Sequence, residues 1–296
     1  MNIGLKKILF IANPLSGGKD KELMLKDIDA AIDRQRFEPS FVFTEYPGHA
    51  TSLAWDADAP IVVAVGGDGT VSEVAKGLAG TEKVMGIIPC GSGDGLALHL
   101  GISRNPLKAL RTIQDGVSET MDYGKLDGNP FFCTAGFGLD AEVAWEFASS
   151  GKRGLWTYIS LAWKIWKHFT PQTYRIETEG TAITAKAVFV TVGNANQWGN
   201  QARITSLASV KDGMLDVTVV APFHTYEIPL LAIKLLDGRA HTSRRVTMLR
   251  ARKVTVVREK EGPAHHDGDP CMEGREIHFE IVPSSLHVMV DAGRKI

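Results

Sequence analysis

Three short glycine-bearing segments carry residue types suited to binding anions: Asn13-Pro-Leu-Ser16-Gly17-Gly18, Gly66-Gly67-Asp68-Gly69-Thr70 and Pro89-Cys-Gly91-Ser92-Gly93-Asp94. Glycine lets the backbone approach a phosphate with no Cβ in the way, and successive N–H groups can then converge on it. Each segment follows a short run of aliphatic residues and precedes an amphipathic stretch. All three are therefore expected at the carboxyl ends of parallel strands, where open α/β sheets bind their ligands. Thr70-Val-Ser-Glu73 reads as a capping box ahead of an apolar stripe formed by Val71, Val74, Ala75 and Leu78, which aims the positive end of a helix at the same place. A tight strand-to-helix turn accounts for any one loop, whereas three in register point to a nucleotide or another phosphorylated ligand. Gly91-Ser-Gly93-Asp-Gly95-Leu96 fails the dinucleotide fingerprint at its last position, and the chain contains no P-loop, so the ordinary dehydrogenase and P-loop NTPase classes are excluded.

Carboxylates supply the second set of chemical groups. Asp68, held between glycines, is placed to hold magnesium or water near phosphates. Asp267 and Asp269 flank Gly268 and share a side if that segment is extended, which makes them a carboxylate pair; an Asp-Gly hairpin turn is the alternative. Asp140 precedes a helix expected over Ala141 to Ala148, where it either orients a substrate head group or caps the helix. His265 and His266 point to opposite faces of a strand and have no third ligand at a suitable spacing, so no transition-metal site is expected there. Cys90 has no base nearby in the sequence and reads as small apolar filler. The stretch from Gly154 to His168 sets Trp156, Ile159, Trp163 and Trp166 at helical spacing, with Lys152, Arg153, Lys164 and Lys167 nearby. Such a helix suits a bilayer interface or a lipid-chain groove, and it equally suits packing on a sheet with its lysines reaching solvent.

The elements that must position these groups fall into two patterns. Up to about residue 120, strands expected at Lys7–Ile11, Ser40–Thr44, Ile61–Val65 and Val84–Ile88 alternate with helices at Asp20–Arg34, Gly48–Asp56, Val71–Ala79, Asp94–Leu100 and Asn105–Gln114. That is the grammar of a doubly wound α/β domain. From 121 to 283 the strands alternate with period two, as in Tyr174, Ile176 and Thr178 against Arg175 and Glu177, and Asp-Gly pairs at Asp127, Asp212, Asp237 and Asp267 mark turns. A β-sandwich domain is expected there, interrupted chiefly by helices at Gly154–His168 and Tyr226–Leu236, with the active site in a cleft between the two domains.

Composition bounds the partners. The 296 residues carry 33 basic and 34 acidic side chains for a formal charge of -1, so no global positive field recruits nucleic acid. Three scattered cysteines argue against a disulfide framework or a thiolate zinc site and fit a reducing cytoplasm. The apolar run Ile8 to Ala12 is too short for a signal sequence, and no stretch is long enough to span a bilayer, so any membrane contact is expected to be peripheral.

The segments NPLSGG, VGGDGTVSEVAKGL and IIPCGSGDGLALHLGI, followed by AGFGLDAEV, KDGMLDV and HDGD, resemble in order and spacing the diacylglycerol kinase and sphingosine kinase catalytic-domain family, including its soluble bacterial lipid-kinase members. The resemblance implies transfer of the γ-phosphoryl group of ATP to a diacylglycerol- or sphingoid-type lipid hydroxyl, with magnesium, by a cytoplasmic and peripherally membrane-associated enzyme. It implies that Asn13, Ser16, Gly17, Gly66, Gly67, Gly69, Thr70, Glu73, Gly91, Ser92 and Gly93 meet the nucleotide. Asp68, Asp267 and Asp269 are then catalytic, Asp94 and Asp140 face substrate, and Asp68, Asp269 and Asp212 hold metal. A C-terminal segment of about 284–296 is implied to return to the first domain, and a homodimer is compatible with this reading. The GGDGT loop and two-domain plan are shared with NAD-kinase-like phosphotransferases, which keeps that reading open, and departures from the family pattern at Asp94, Gly95 and Asp269 keep open a nucleotide- or lipid-binding protein without catalysis.

Overall fold

A computed structural model describes residues 5–16, 21–151 and 154–294. The chain forms two compact units, Met1–Met121 with Ser284–Ile296, and Asp122–Pro283.

In the first unit β1 (Lys6–Ala12), β2 (Phe37–Phe43), β3 (Ile61–Gly66) and β4 (Val84–Pro89) form a parallel sheet in the order β2-β1-β3-β4. Helices α1 (Lys21–Ala31), α2 (His49–Asp56), α3 (Asp68–Leu78), α4 (Gly95–His99) and α5 (Pro106–Asp115) connect and cover it, α1 packing with α5 and α2 with α3. β3 is buried along its whole length, as a central parallel strand of Ile, Val and Ala must be. The second strand begins three residues earlier than its pattern suggests, with Pro39 inside it. A proline that cannot donate to a ladder is tolerated there because β2 is the sheet edge.

The second unit stacks two sheets. One contains β8 (Gln172–Thr178), β9 (Ala182–Ala187), β13 (Lys253–Arg258) and the first part of β16 (Glu276–Val290), all antiparallel. The hairpin of β5 (Val117–Leu126) and β6 (Asn129–Phe131) joins it through β16. The other runs in the order β12-β11-β10-β7-β14-β15, built from β7 (Thr134–Gly138), β10 (Phe189–Gly193), β11 (Leu215–Val220), β12 (Val246–Ala251), β14 (Gly262–His266) and β15 (Asp269–Glu273). Tyr174, Ile176 and Val256 of one sheet meet Phe137, Val190 and Val217 of the other in a single buried cluster, so the period-two pattern does produce a β-sandwich. Among the described residues three α-helices lie outside the sheets: α6 (Leu139–Ser149), α7 (Leu155–Trp166) and α8 (Ile228–Leu236). The strand β16 leaves the sandwich and ends in the first unit, where His287 and Val288 lie parallel to Val84 and Met85 of β4. The α/β sheet joined to a sandwich is the architecture the strand patterns imply.

One charged pair in the sandwich makes its stability depend on pH. Asp216 on β11 is fully buried opposite Arg250 on β12, with Arg250 Nε at 3.3 Å, and Arg250 also reaches Asp212. Burial pushes the Asp216 carboxyl up to about 6, with Arg250 opposing the shift. The folded state therefore holds a proton that the unfolded state releases near 3.8, and folding stability falls as pH rises through that window. The penalty at neutral pH is on the order of 3 kcal/mol. Asp216→Asn removes it, so its melting temperature relative to wild type is expected to be higher at pH 7.5 than at pH 4, as measured by thermal unfolding across pH.

Candidate active site

The second and third glycine loops are locked to each other. A Cβ on Gly91 would stand 2.7 Å from Gly67 Cα, so the two turns touch backbone to backbone and neither position has room for a side chain. Asp68 completes the lock: its carboxylate accepts the N–H groups of Asp94 at 2.9 Å and Gly95 at 2.6 Å, which lie at the start of α4. A negative group at that helix end is favoured by both the unsatisfied N–H groups and the macrodipole. The same carboxylate would collide with a Cβ on Gly93, at 2.5 Å. Gly69 differs from these three, because a Cβ there meets nothing within 4 Å and projects into open space.

Asp94, expected to face substrate, is turned inward. It takes φ 52°, a left-handed conformation that Asp and Asn tolerate. One carboxylate oxygen accepts Gly91 N–H at 2.8 Å and the other pairs with Arg104 Nε at 3.1 Å. Arg104 also donates to the carbonyls of Gly93 at 2.7 Å and Ser92 at 3.2 Å, holding the loop from outside. Burial raises the Asp94 carboxyl above its usual range, while Gly91, Arg104 and Lys21 work against the shift.

The first loop is tied more loosely. Asn13 folds into a turn, its side-chain oxygen accepting Leu15 N–H at 2.9 Å while its carbonyl accepts the Ser16 hydroxyl at 3.1 Å, and its own N–H donates to Val65 at the end of β3. Gly17 lies outside the described residues. Immediately beyond, Lys21 opens α1 with only 4% of its surface exposed, and its ammonium has no hydrogen-bond partner among the described residues. A buried, unpaired ammonium is costly unless an anion accompanies it. Sequence reasoning passed over Lys21 and Arg104, because periodicity marks surface lysines and arginines without showing which of them are buried or bridge a loop.

The capping box is a correction. The helix begins at Asp68 with Gly67 as its extended N-cap, so Thr70 lies within the first turn, buried against Gly66. The Glu73 carboxylate accepts N–H groups of Gly48 at 2.9 Å and Ala50 at 3.1 Å, and so anchors the start of α2 instead.

In the second unit the HDGD segment is a two-residue turn between β14 and β15, with positive φ at Asp267 and Gly268. The Asp267 carboxylate accepts three consecutive backbone N–H groups, of Phe132 at 2.9 Å, Cys133 at 2.7 Å and Thr134 at 3.3 Å, and its own N–H returns to Thr134 O. That is the work of a clamp. Asp269, the first residue of β15, is the exposed carboxylate of the pair. Asp140 is buried: its carboxylate accepts the Thr191 hydroxyl and stands 3.2 Å from His265 Nε2, so it orients that imidazole rather than reaching a head group. His265 is buried and His266 partly so, as strand alternation requires. Asp212 accepts Met214 N–H at 3.1 Å and is paired with Arg250, so the positive charge at this turn is already supplied by a guanidinium and the residues do not fit a metal ion there. No group of three or more His, Cys, Asp or Glu side chains among the described residues is arranged for a metal.

With this geometry in view, comparison with known proteins identifies the family. Residues 7–126 match the model of the diacylglycerol kinase catalytic domain, and residues 133–290 match that of the YegS C-terminal NAD kinase beta sandwich-like domain. The chain belongs to the diacylglycerol kinase and YegS-like lipid kinase family. A diacylglycerol kinase of Bacillus subtilis (strain 168) is 27% identical, covering 97% of this chain and 96% of that protein. A diacylglycerol kinase of Mycobacterium tuberculosis (strain H37Rv) is 29% identical over 96% and 94%. A putative diacylglycerol kinase of Bacillus anthracis str. Sterne shares the fold with a TM-score of 0.77 at 22% identity, covering 97% of each chain. An NAD kinase of Archaeoglobus fulgidus in complex with ATP shares it at a TM-score of 0.54 and 13% identity, covering 96% of this chain and 94% of that one.

The glycines divide into a testable contrast. Gly91→Ala forces the two loops apart and should lower the melting temperature, whereas Gly69→Val adds a side chain only to open space. Gly69→Val is expected to melt within a degree or two of wild type while losing at least about tenfold in nucleotide affinity, measured by calorimetric titration, because its side chain would obstruct the phosphate approach to backbone that the glycine loop leads one to expect.

Proposed function

We propose that this protein transfers the γ-phosphoryl group of ATP to the hydroxyl of a diacylglycerol-type membrane lipid. The observation that carries this reading is the buried Lys21 ammonium, which has no hydrogen-bond partner among the described residues and follows closely in sequence on the first of three glycine loops. The Asp94 carboxylate lies within electrostatic reach of that ammonium, a phosphate chain supplies the hydrogen-bond acceptors it lacks, and the α3 N-terminus with open space at Gly69 supplies N–H donors without obstruction. Membership of a family whose relatives are named diacylglycerol kinases supports the lipid acceptor.

Phosphoryl transfer asks for positioning and charge neutralisation more than for covalent chemistry by the protein. Asp68 has the hard oxygen donors that magnesium prefers and stands at the start of α3 beside the second and third glycine loops, so the residue fits that ion. Magnesium held there would neutralise charge developing on the phosphates. Because Asp267 is committed to three backbone N–H groups, we assign the carboxylate that receives the acceptor proton to Asp269. We also infer that the enzyme works at a membrane surface.

The identifying experiment is radiolabelled-ATP transfer against a lipid panel that includes diacylglycerol, sphingoid bases and NAD. Label on diacylglycerol is expected. Label on NAD alone would establish the NAD-kinase-like reading, and label on nothing in the presence of ATP binding would establish a binding protein.

The two acids of the turn separate in the same assay. Asp269→Asn is expected to lower kcat roughly 10²- to 10³-fold with the melting temperature unchanged. Asp267→Asn places an amide against N–H donors and should destabilise the fold, since hydrogen bonds to a charged group contribute about 1.5–3 kcal/mol. Full activity in Asp269→Asn would remove that residue from catalysis.

A further inference from the structure

We propose that the loop leaving β10, residues 194–203, is a subsite for the acceptor's polar head and selects a neutral, hydroxyl-bearing head over an amine, an assignment that rests on the lipid-kinase reading. Buried polar atoms in folded proteins are nearly always hydrogen-bonded, so each exception calls for a partner of another kind. This loop concentrates such exceptions. Asn194 is fully buried and Gln197 is 3% exposed, yet neither Asn194 Oδ1 nor Gln197 Oε1 has a hydrogen-bond partner among the described residues. The buried indole Nε1 of Trp198, the next residue, has none there either.

The surrounding bonds keep these groups in place. Asn194 Nδ2 donates to the carbonyls of Asp122 at 2.9 Å and Phe132 at 3.0 Å, and the N–H groups of Asn194 and Ala195 both go to Cys133 O. The fully buried Thr205 donates its hydroxyl to Ala195 O at 2.7 Å, which closes the far end of the loop, and the Trp198 ring packs against Phe189 with centroids 5.2 Å apart. Trp198 N–H returns to Ala202 O, with Asn200 and Gln201 both at positive φ in the turn between them, where a tight hairpin ordinarily places a glycine.

Position and chemistry together name the ligand. At one end of a single sheet β10 ends, β7 begins and β14 turns into β15. Asp267 accepts the N–H groups of Phe132 to Thr134 while Asn194 donates to Phe132 O, so the loop and the turn that presents Asp269 share one stretch of backbone. The unmatched atoms are two amide carbonyl oxygens and one indole N–H, with no ionised group among them. A hydroxyl donates and accepts at once and so meets both kinds. An ammonium satisfies the carbonyls only and sets its charge against the indole donor, and a phosphate sets its oxygens against the carbonyls. The head that fits is the glycerol hydroxyl of a diacylglycerol-type acceptor in preference to the amino alcohol of a sphingoid base.

The test uses dihexanoylglycerol, a water-soluble diacylglycerol, and sphingosine as acceptors for the full-length protein. Gln197→Leu removes an unmatched carbonyl at similar size. Its KM for dihexanoylglycerol is expected to rise at least about tenfold, with the KM for ATP within about twofold of wild type and the melting temperature equal or higher. The preference for dihexanoylglycerol over sphingosine, taken as a ratio of kcat/KM, should fall with it. Trp198→Phe keeps a ring against Phe189 and removes the N–H, and it should move both quantities the same way, should Gln197→Leu fold poorly. An acceptor KM unchanged in both variants overturns the proposal, and a fall in their melting temperature would then show that structural water satisfies these atoms. Calorimetric titration of dihexanoylglycerol separates the subsite from the kinase reading. Binding by wild type that weakens at least about tenfold in Gln197→Leu, without phosphoryl transfer, keeps the subsite and removes the kinase reading. Transfer by wild type with an acceptor KM that neither variant alters does the reverse, and a wild type that neither binds nor phosphorylates dihexanoylglycerol overturns the subsite as well.

Discussion

The loop-bearing edge of the first unit depends on one carboxylate. Asp68 stands at the first residue of α3 and accepts the N–H groups that open α4, so two strand-to-helix turns from different parts of the sequence are held as one surface. Gly67 and Gly91 are glycines because this tie brings their backbones into contact, and Gly93 because it leaves no room beside the Asp68 oxygens. Asp94 and Arg104 close the same loop from its other side. A substitution at Asp68 therefore alters the shape of the loops as well as the charge presented to phosphates, and its effects on affinity and rate are coupled.

A related device operates in the second unit, where Asp267 gathers three successive N–H groups at the start of β7 and fixes the turn that presents Asp269. Beneath it, Thr191, Asp140 and His265 form a buried polar set joining β10, α6 and β14. Buried polar groups persist where they are hydrogen-bonded, and such networks specify one arrangement of the elements that share them. In both units, acids that look catalytic by spacing also position backbone.

The alternation of β-branched runs with amphipathic stretches was enough to read the parallel sheet, the sandwich and the loops at the strand ends, because burial on one or both faces leaves a period in the sequence. The roles of individual acids were less legible. Glu73 matches a capping-box spacing yet serves α2, because helix α3 starts at Asp68 and the N–H groups of residues 48 and 50 lie beside the Glu73 carboxylate. Asp94, Asp140 and Asp267 look alike as residues near glycines, and only the donors brought to them by distant segments show which are committed to the backbone and which to a side chain. Lys21 gave no sequence signal, since nothing in its neighbours shows that it is buried.

Lys21 is also where the account is most exposed to contradiction. If its buried ammonium is the counter-charge for a phosphate chain, removing the charge abolishes an attraction and also relieves the burial of an ammonium that has no hydrogen-bond partner among the described residues. Calorimetric titration of ATP into wild type and Lys21→Met measures this directly. The account predicts a loss of at least about tenfold in affinity, with a melting temperature equal to or above that of wild type. Undiminished ATP binding by Lys21→Met would contradict it.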